Sequence, residues 1–585
     1  MSEPDLQARA RDWLADDPDP ETRHELADLL ERGDVVELAD RFAGLLSFGT
    51  AGLRGAVGAG PNRMNVAVVI RAAAAIAAWV RDGDSLGSGD SLDSGAERRV
   101  LPAVVVGFDA RHRSTDFAAV SAEVLAAAGV RALLLPRPVP TPVLAFAVTH
   151  LGASAGIMVT ASHNPPTDNG YKVYDGSGRQ IVAPSDVAIA ESMRSVHRVS
   201  AVPRTGPDDP DIVHLDDAVE QAYVEAATTL VDPDGPRQVT VAHTALHGVA
   251  AAVFRRVVAR AGFGPVAEVA EQAEPDPSFP TVAFPNPEEP GALDLGIARA
   301  AGAGAHLLVA HDPDGDRLGI AVPDPARGGA GDPAGWRTLR GDEIGVLLAH
   351  HLLVQGRLDQ DTVLVNTVVS STLLARMAAA AGVPHVCTLT GFKWISRAPG
   401  PGRRLGLGYE EALGYCVDSV VADKDGLTAA LVFMELVAGL RAEGRTVLDV
   451  LDELALAHGV HQTGQWVLRI TGPSARERLA ALMATLRREP PTSLGSMAVA
   501  GVDDLLAGDA ARGLAPTDLL TFRLAGGRVV VRPSGTEPKL KCYIEVVEAV
   551  DGPADLAAAR ARAVAGVDAL VAAVADHLRV VAGPA

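Results

Sequence analysis

The chemistry open to this chain is written most plainly in HLLVAHDPDGDRLGIAV, where an apolar run ends in Asp312, Asp314 and Asp316 and is followed by Arg317. Three carboxylates at alternate positions of one loop can converge on a cation, and an all-oxygen donor set favours Mg²⁺ or another hard ion. An EF-hand is excluded, because the sixth position counted from Asp312 is Arg317 rather than glycine and the twelfth is Pro323 rather than glutamate. The stretch VDPDGP at 231–236 lacks the third aspartate and reads as a plain turn. A second pattern, AGIMVTASHNPPTDNGYKVYDGSG (155–178), places Ser162 and His163 where an apolar strand gives way to a loop, a frequent location for an exposed nucleophile. A Ser-His neighbour pair does not make a triad, and no G-x-S-x-G elbow is present, so a serine that only forms a turn stays open here. Lys172 follows ten residues later. Lysine is scarce, occurring only as Lys172, Lys393, Lys424, Lys539 and Lys541. An amine can exchange a proton near neutrality when its surroundings lower its pKa, which a guanidinium cannot do.

The segment GRVVVRPSGTEPKLKCYIE (527–545) brings Arg532, Ser534, Gly535 and Thr536 into one short loop, with Lys539 and Lys541 close behind. An arginine fork, two hydroxyls and a glycine-freed backbone N–H are sufficient to grip a phosphate, although a polar hairpin tip is the plainer alternative. No Walker loop is present, since the GK[ST] ending before a helix is missing. Arg54 lies among glycines in SFGTAGLRG. A last group comprises TGFKWI (390–395), GYEEALGY (408–415) and DKDG (423–426), in which Glu410 and Glu411 could accept sugar hydroxyl protons or simply start a helix. All five lysines fall inside these clusters. A serine, a three-aspartate cation site, a proton-transfer lysine, a phosphate grip and a sugar-like polar patch together point to phosphoryl transfer on a phosphorylated small molecule.

These residues need a scaffold, and the patterning predicts which one. LPAVVVGFDARHRS, a helix through Phe117–Ala128 and VRALLLP read as strand, helix, strand, and similar apolar runs recur at 238–242, 306–310 and 362–365. QWVLRI, LTFRL, GRVVVRPSG and KCYIEVVEA instead read as strands of a partly antiparallel α+β domain closed by an Ala-rich helix. The expected fold class is therefore α/β, with three similar α/β domains (1–210, 211–335 and 336–457) and an α+β domain at 458–585. Residues 1–45 show helical periodicity, and 82–96 read as a Gly/Ser/Asp surface loop. A chain of 585 residues with 48% hydrophobic content can bury a core in each domain. Its three cysteines suit a reducing compartment, and a net charge of −21 argues against nucleic-acid or anionic-membrane partners. The start lacks a signal peptide pattern, and the apolar stretch Val66–Val80 is interrupted by Arg71 and is shorter than the roughly 20 residues of a membrane helix. A cytoplasmic protein is expected.

With these segments in this order, the sequence resembles the α-D-phosphohexomutases, the phosphoglucomutase and phosphomannomutase superfamily, over about residues 45–545. The resemblance implies an isomerase working by intramolecular phosphotransfer, with Ser162 of TASHNP as the phosphorylated serine. It implies one Mg²⁺ on Asp312, Asp314, Asp316 and the Ser162 phosphate, and Arg317 facing the reacting phosphate. Lys172 would act in proton transfer, assisted by His163 and Arg54. The non-reacting phosphate falls to Arg532, Ser534, Gly535, Thr536 and Lys541, and the sugar to Thr390, Gly391, Lys393 and Glu410. A hexose 1,6-bisphosphate would be the intermediate and activator, and the assembly a monomer or homodimer. One departure stands out: the loop reads Y-E-E-A-L-G, with Ala412 where the commoner G-E-x-S pattern has serine. Together with GTAGLRG, this form resembles the branch holding phosphopentomutase-like and glucose 1,6-bisphosphate-synthesising members beside bacterial phosphoglucomutases. Interconversion of hexose 1- and 6-phosphates, glucose or mannose, is the expected reaction. The alternative is a phosphopentomutase, acting between ribose or deoxyribose 1-phosphate and 5-phosphate, or a hexose 1,6-bisphosphate-forming relative, with a phosphatase and a catalytically silent binding protein as further rivals.

Overall fold

Apolar runs flanked by Ala-rich helices become parallel strands here because helices cover the sheet they form. In the computed structural model, which describes residues 3–48, 52–83, 101–470, 474–534 and 539–582, the run before GFDAR is the buried strand Ala103–Phe108. It lies inside a six-stranded mixed sheet ordered Leu53–Ala56, Asp168–Asp175, Ala155–Val159, Ala103–Phe108, Arg131–Leu134, Ile212–His214. Helices Val66–Arg81 and Ser114–Ala127 pack on this sheet in one large apolar core. The expected lead-in is three helices, Glu3–Asp16, Pro20–Arg32 and Val35–Arg41. The second of them starts at an Asp19 cap with Pro20 at its first position and ends on Gly33 at φ 62°. Of the loop expected at 82–96, residues 84–96 lie outside the described residues.

A second mixed sheet is ordered Trp336–Thr338, Gly319–Pro323, Leu307–Ala310, Val241–Thr244, Ala267–Glu268. Both sheets fall in the first of two compact units, Met1–Gly341 with Ala412–Glu443; the second unit is Asp342–Glu411 with Gly444–Ala585. The stretch Ala412–Glu443 thus belongs to the first unit although residues on both sides of it do not. It carries Gly426–Ala442, a helix buried almost all round.

In the second unit, His385–Thr388, Thr362–Thr367 and Arg404–Glu410 form parallel neighbours. Val460–Arg469, Lys539–Glu548, Gly527–Pro533, Leu520–Leu524 and Met497–Asp504 form an antiparallel sheet. Helices Ala475–Arg488 and Leu556–Ala582 contribute to the core of this sheet. A buried polar knot explains why both parts cohere. Glu545, 3% exposed, accepts hydrogen bonds from Ser371 Oγ (2.9 Å), Thr372 N (2.8 Å), His461 Nδ1 (2.9 Å) and Arg528 Nε (2.8 Å). Burial alone would raise the Glu545 pKa, but the His461 N–H and the Arg528 charge outweigh it and hold it down at about 2. Arg528 also donates to the carbonyls of Val368 and Ser370.

Candidate active site

The serine loop is set by groups beneath it. Asp109, just past the strand Ala103–Phe108, accepts from Ser114 Oγ (2.6 Å), Thr160 Oγ1 (2.7 Å) and Arg111 N (3.0 Å). The Thr160 hydroxyl oxygen in turn accepts from Ser162 N at 2.8 Å. Arg111, 4% exposed, spends its fork on four backbone carbonyls, those of Ser162 (2.5 Å), Asn164 (2.6 Å), Pro165 (2.7 Å) and Asp168 (3.1 Å). This scaffold holds Ser162 at φ 54°, in the left-handed region that a non-glycine residue rarely occupies.

The acidic loop meets it from the second sheet. Ser162 Oγ donates to Asp312 Oδ2 at 2.8 Å. Lys172, on the antiparallel strand Asp168–Asp175 and 1% exposed, donates to Asp314 Oδ2 at 2.6 Å and Asp316 Oδ2 at 2.5 Å. Thr141 Oγ1 donates to Asp314 Oδ2 at 2.6 Å. Lys424 Nζ lies 3.2 Å from Asp316 Oδ2. Arg54 reaches Asn164 Oδ1 at 3.5 Å, and the charges of Asp314 and Asp316 act on its buried guanidinium. Burial and the charges of Asp314 and Asp316 hold the Asp312 carboxyl well above its usual range. Burial pushes Asp316 the same way, but the ammonium groups of Lys172 and Lys424 outweigh it and lower its pKa.

The acidic loop fits a cation. Donor oxygens of Asp312, Asp314 and Asp316 lie within 4.8 Å of one another, all three side chains are buried, and Asp314 Oδ1 and Asp316 Oδ1 have no hydrogen-bond partner. Buried carboxylate oxygens are normally satisfied, so the free pair supplies ready ligands for a hard metal ion.

His163 is held well below its ordinary pKa by burial and by the charges of Arg317 and Arg54, and is therefore neutral. Its Nε2 faces Arg317 Nη2 at 3.5 Å and its Nδ1 faces Ser162 Oγ at 3.3 Å. A guanidinium has only donors, so Nε2 accepts and Nδ1 carries the proton. In this tautomer His163 donates to the serine oxygen. Arg317 N donates to Asp312 Oδ1 at 3.0 Å, and its Nη1 donates to Glu288 Oε2 at 3.0 Å.

Of the residues singled out in the sequence, Arg54, Ser162, His163, Lys172, the three aspartates and Arg317 therefore meet in the first unit. Thr390, Gly391, Lys393, Glu410, Arg532, Ser534, Lys539 and Lys541 fall in the second unit. Arg532 donates to Thr390 Oγ1, and Gly391, at φ 112°, precedes the short helix Phe392–Ile395, in which Lys393 lies 5.9 Å from the Trp394 ring centre. Arg532 and Lys541 are direct cross-strand partners, so two cations share one face of the sheet. Ser534 N donates to Lys539 O at 2.8 Å, while Gly535 and Thr536 lie outside the described residues. Glu410 ends the strand Arg404–Glu410, and next to it Glu411 is pushed up to about 8 by burial, with Asp342 and Glu410 adding to the effect.

A carboxyl whose pKa rises on folding contributes stability below its unfolded value of 4.5, and that contribution is lost as pH climbs through about 8. The second unit accordingly loses on the order of a few kcal/mol between these limits. Melting temperatures of wild type and Glu411→Gln measured from about pH 5 to 8.5 check this: the wild-type decline is expected to be shallower in the variant.

DKDG departs from its sequence grouping with GYEEALGY. It sits in the first unit, where Asp423 accepts from Tyr174 Oη (3.0 Å) and Gln180 Nε2 (2.7 Å), and Asp425 from Tyr223 Oη (2.9 Å). Gly426 permits the approach, since a Cβ there would stand 2.3 Å from the Arg317 carbonyl oxygen. Sequence reasoning thus missed Lys424 as a neighbour of the acidic loop, and it missed Asp109, Arg111 and Thr141. The scarcity of lysine could have found Lys424, and the polar DAR directly after an apolar strand could have found Asp109 and Arg111.

The chain matches phosphoglucomutase/phosphomannomutase alpha/beta/alpha domain I over residues 45–199, domain II over 221–328, domain III over 340–456 and the C-terminal domain over 493–579. It is 42% identical to a Haemophilus influenzae protein named "Probable phosphomannomutase" over 76% of this chain and 88% of that one. It is 33% identical to the phosphoribomutase of Saccharomyces cerevisiae, covering 91% of each chain. A Staphylococcus haemolyticus phosphoglucomutase is 31% identical over 86% of this chain and 90% of its own. The crystal structure of a Burkholderia thailandensis phosphoglucomutase/phosphomannomutase family protein shares the fold, with a TM-score of 0.63 at 22% identity over 90% of this chain and 97% of that one. Four consecutive family domains, and relatives aligned along nearly the whole length, place the chain in the phosphoglucomutase/phosphomannomutase family of phosphotransferring isomerases.

Proposed function

We propose that this protein is a cytoplasmic mutase that interconverts hexose 1-phosphate and hexose 6-phosphate, glucose or mannose, through phospho-Ser162 and a hexose 1,6-bisphosphate intermediate. The observation that carries the reading is the Ser162 hydroxyl donating to Asp312 at 2.8 Å from a loop locked by Arg111. Asp312, Asp314, Asp316 and a phosphoserine oxygen would hold one Mg²⁺, which supplies charge neutralisation for the transferring group. His163 Nδ1–H steadies the serine oxygen, and Arg317 and Arg54 add positive charge around the phosphoryl group. Lys172 Nζ exchanges the proton of the attacking or leaving sugar hydroxyl. In the second unit, Arg532, Ser534, Gly535, Thr536 and Lys541 take the phosphate that does not react, and Thr390, Gly391, Lys393 and Glu410 take the sugar.

A second reading, phosphopentomutase, is favoured by Ala412 in the sugar loop and by the 33% identity to a phosphoribomutase along 91% of each chain. A coupled assay with glucose 1-phosphate, mannose 1-phosphate and ribose 1-phosphate, primed with a trace of hexose 1,6-bisphosphate, decides between them. Hexose turnover supports the first reading, pentose turnover alone transfers the assignment to the second, and phosphate release without isomerisation rejects both. EDTA is expected to abolish turnover and Mg²⁺ to restore it. Mg²⁺ is also expected to raise the melting temperature of wild type but not of Asp314→Ala, because a ligand bound only by the folded state stabilises it.

A further inference from the structure

Among the described residues, six non-glycine residues have a positive φ, and four of them, Ser162 (54°), Leu246 (47°), His247 (61°) and Phe279 (46°), belong to one run of contacts that reaches the phosphoryl-transfer site. A Cβ makes that conformation unfavourable, so each of the four persists only where its surroundings over-determine it. Leu246 and His247 turn the chain just past the strand Val241–Thr244. This turn is fastened to the acidic loop: Val249 N donates to Pro313 O at 2.8 Å, and a Cβ on Gly248 would stand 2.2 Å from Pro313 Cα. Pro313 lies between Asp312 and Asp314. Phe279, 3% exposed, is fastened to the serine side of the site, since the Arg111 guanidinium lies over its ring at 5.0 Å. The two anchors are tied to each other on both sides of Phe279. Asp276 N donates to His247 O at 3.0 Å, and Thr281 Oγ1 lies 2.8 Å from His247 Nε2.

We propose that Phe279 is a positioning residue for phosphoryl transfer, the link through which the segment 276–281 holds the serine loop in register with the acidic loop. The inference rests on phospho-Ser162 carrying the phosphoryl group. The N–H donors of a guanidinium lie in its plane, so the four carbonyls of the serine loop hold Arg111 by its edge and leave its face to the Phe279 ring. Leucine at 279 keeps an apolar neighbour but removes the aromatic face. The guanidinium is then free to tilt, the Ser162 backbone relaxes from its left-handed conformation, and Ser162 Oγ leaves its 2.8 Å contact with Asp312. Misplacing a reacting group by about 1 Å costs on the order of 10²-fold in rate. The groups assigned to the sugar and the non-reacting phosphate lie in the second unit and are untouched, so the loss falls on kcat and not on KM.

Steady-state kinetics, and the rate at which phosphate-labelled hexose 1,6-bisphosphate labels Ser162, test the link on the full chain in Phe279→Leu, Thr281→Val and the double variant. In Phe279→Leu, kcat and the labelling rate are expected to fall together by about 10- to 100-fold, with KM within about twofold of wild type. Thr281 is exposed, so valine there spares the fold and keeps the test decisive should Phe279→Leu fail to fold. Its loss in the same two rates is expected to be about three- to tenfold. Residues that act through one link are not additive, so the double variant is expected to be no slower than Phe279→Leu. Labelling rates that match wild type in both single variants overturn the proposal, as do losses that multiply in the double variant or a KM that rises as far as kcat falls. Wild type that isomerises without labelling Ser162 overturns the phosphoserine reading itself, and this inference with it.

Discussion

Alanine at position 162 is expected to lower mutase turnover by about 10⁴-fold or more, because the proposed mechanism passes the phosphoryl group through that side chain. The fold survives the change. Arg111 holds the loop through the carbonyl oxygens of residues 162, 164, 165 and 168, which alanine retains, and the lost Ser162 Oγ to Asp312 bond is worth only about 1 kcal/mol. Incubation with hexose bisphosphate labelled in its phosphate should label wild type and leave Ser162→Ala unlabelled, with both giving the same circular dichroism. Isomerisation persisting in the variant, with label on another residue, would remove Ser162 from the reaction.

Lys172→Met has a double consequence. If Lys172 carries the proton as proposed, its loss is expected to cost about 10²–10⁴-fold in kcat. Loss of the ammonium also strips Asp314 and Asp316 of their closest counter-charge, and breaking a buried ion pair on one side costs about 3–5 kcal/mol. The two effects separate in Lys172→Arg, which restores charge but cannot readily give up a proton, so melting temperature recovers while turnover does not. Divalent cation should recover part of the stability lost in the methionine variant, since it neutralises the same carboxylates. Full activity in Lys172→Arg would reduce the residue to a counter-ion.

Much of the site was legible because its chemistry is carried by side chains in short contiguous runs. Asp312, Asp314 and Asp316 follow the apolar strand Leu307–Ala310, and Ser162 follows the apolar strand Ala155–Val159, so pattern alone put both at strand ends. Continuous apolar runs pointed to parallel strands, but the antiparallel strands Asp168–Asp175 and Gly319–Pro323 that join the first two sheets were not read as such. The supports were harder to see. Arg111 acts on backbone carbonyls, and a carbonyl acceptor carries no residue identity to read. Lys424 was grouped by sequence proximity with the YEEALG loop, but the chain passes from one unit to the other at Ala412, and only tertiary packing shows that it comes to rest against Asp316. The neutral tautomer of His163 depends on Arg317, a partner 154 positions away.

The return of Ala412–Glu443 to the first unit also fixes an order of assembly. A growing chain that has reached Gly341 has made both sheets of that unit but not the buried helix Gly426–Ala442, nor Lys424 to meet Asp316. Those arrive about a hundred residues later, on the order of 5–20 s at ordinary rates of synthesis, with a piece of the second unit emerging in between. Neither unit can close before part of the other has been made, so a fragment ending at residue 341 would leave apolar surface and a crowded set of carboxylates uncovered.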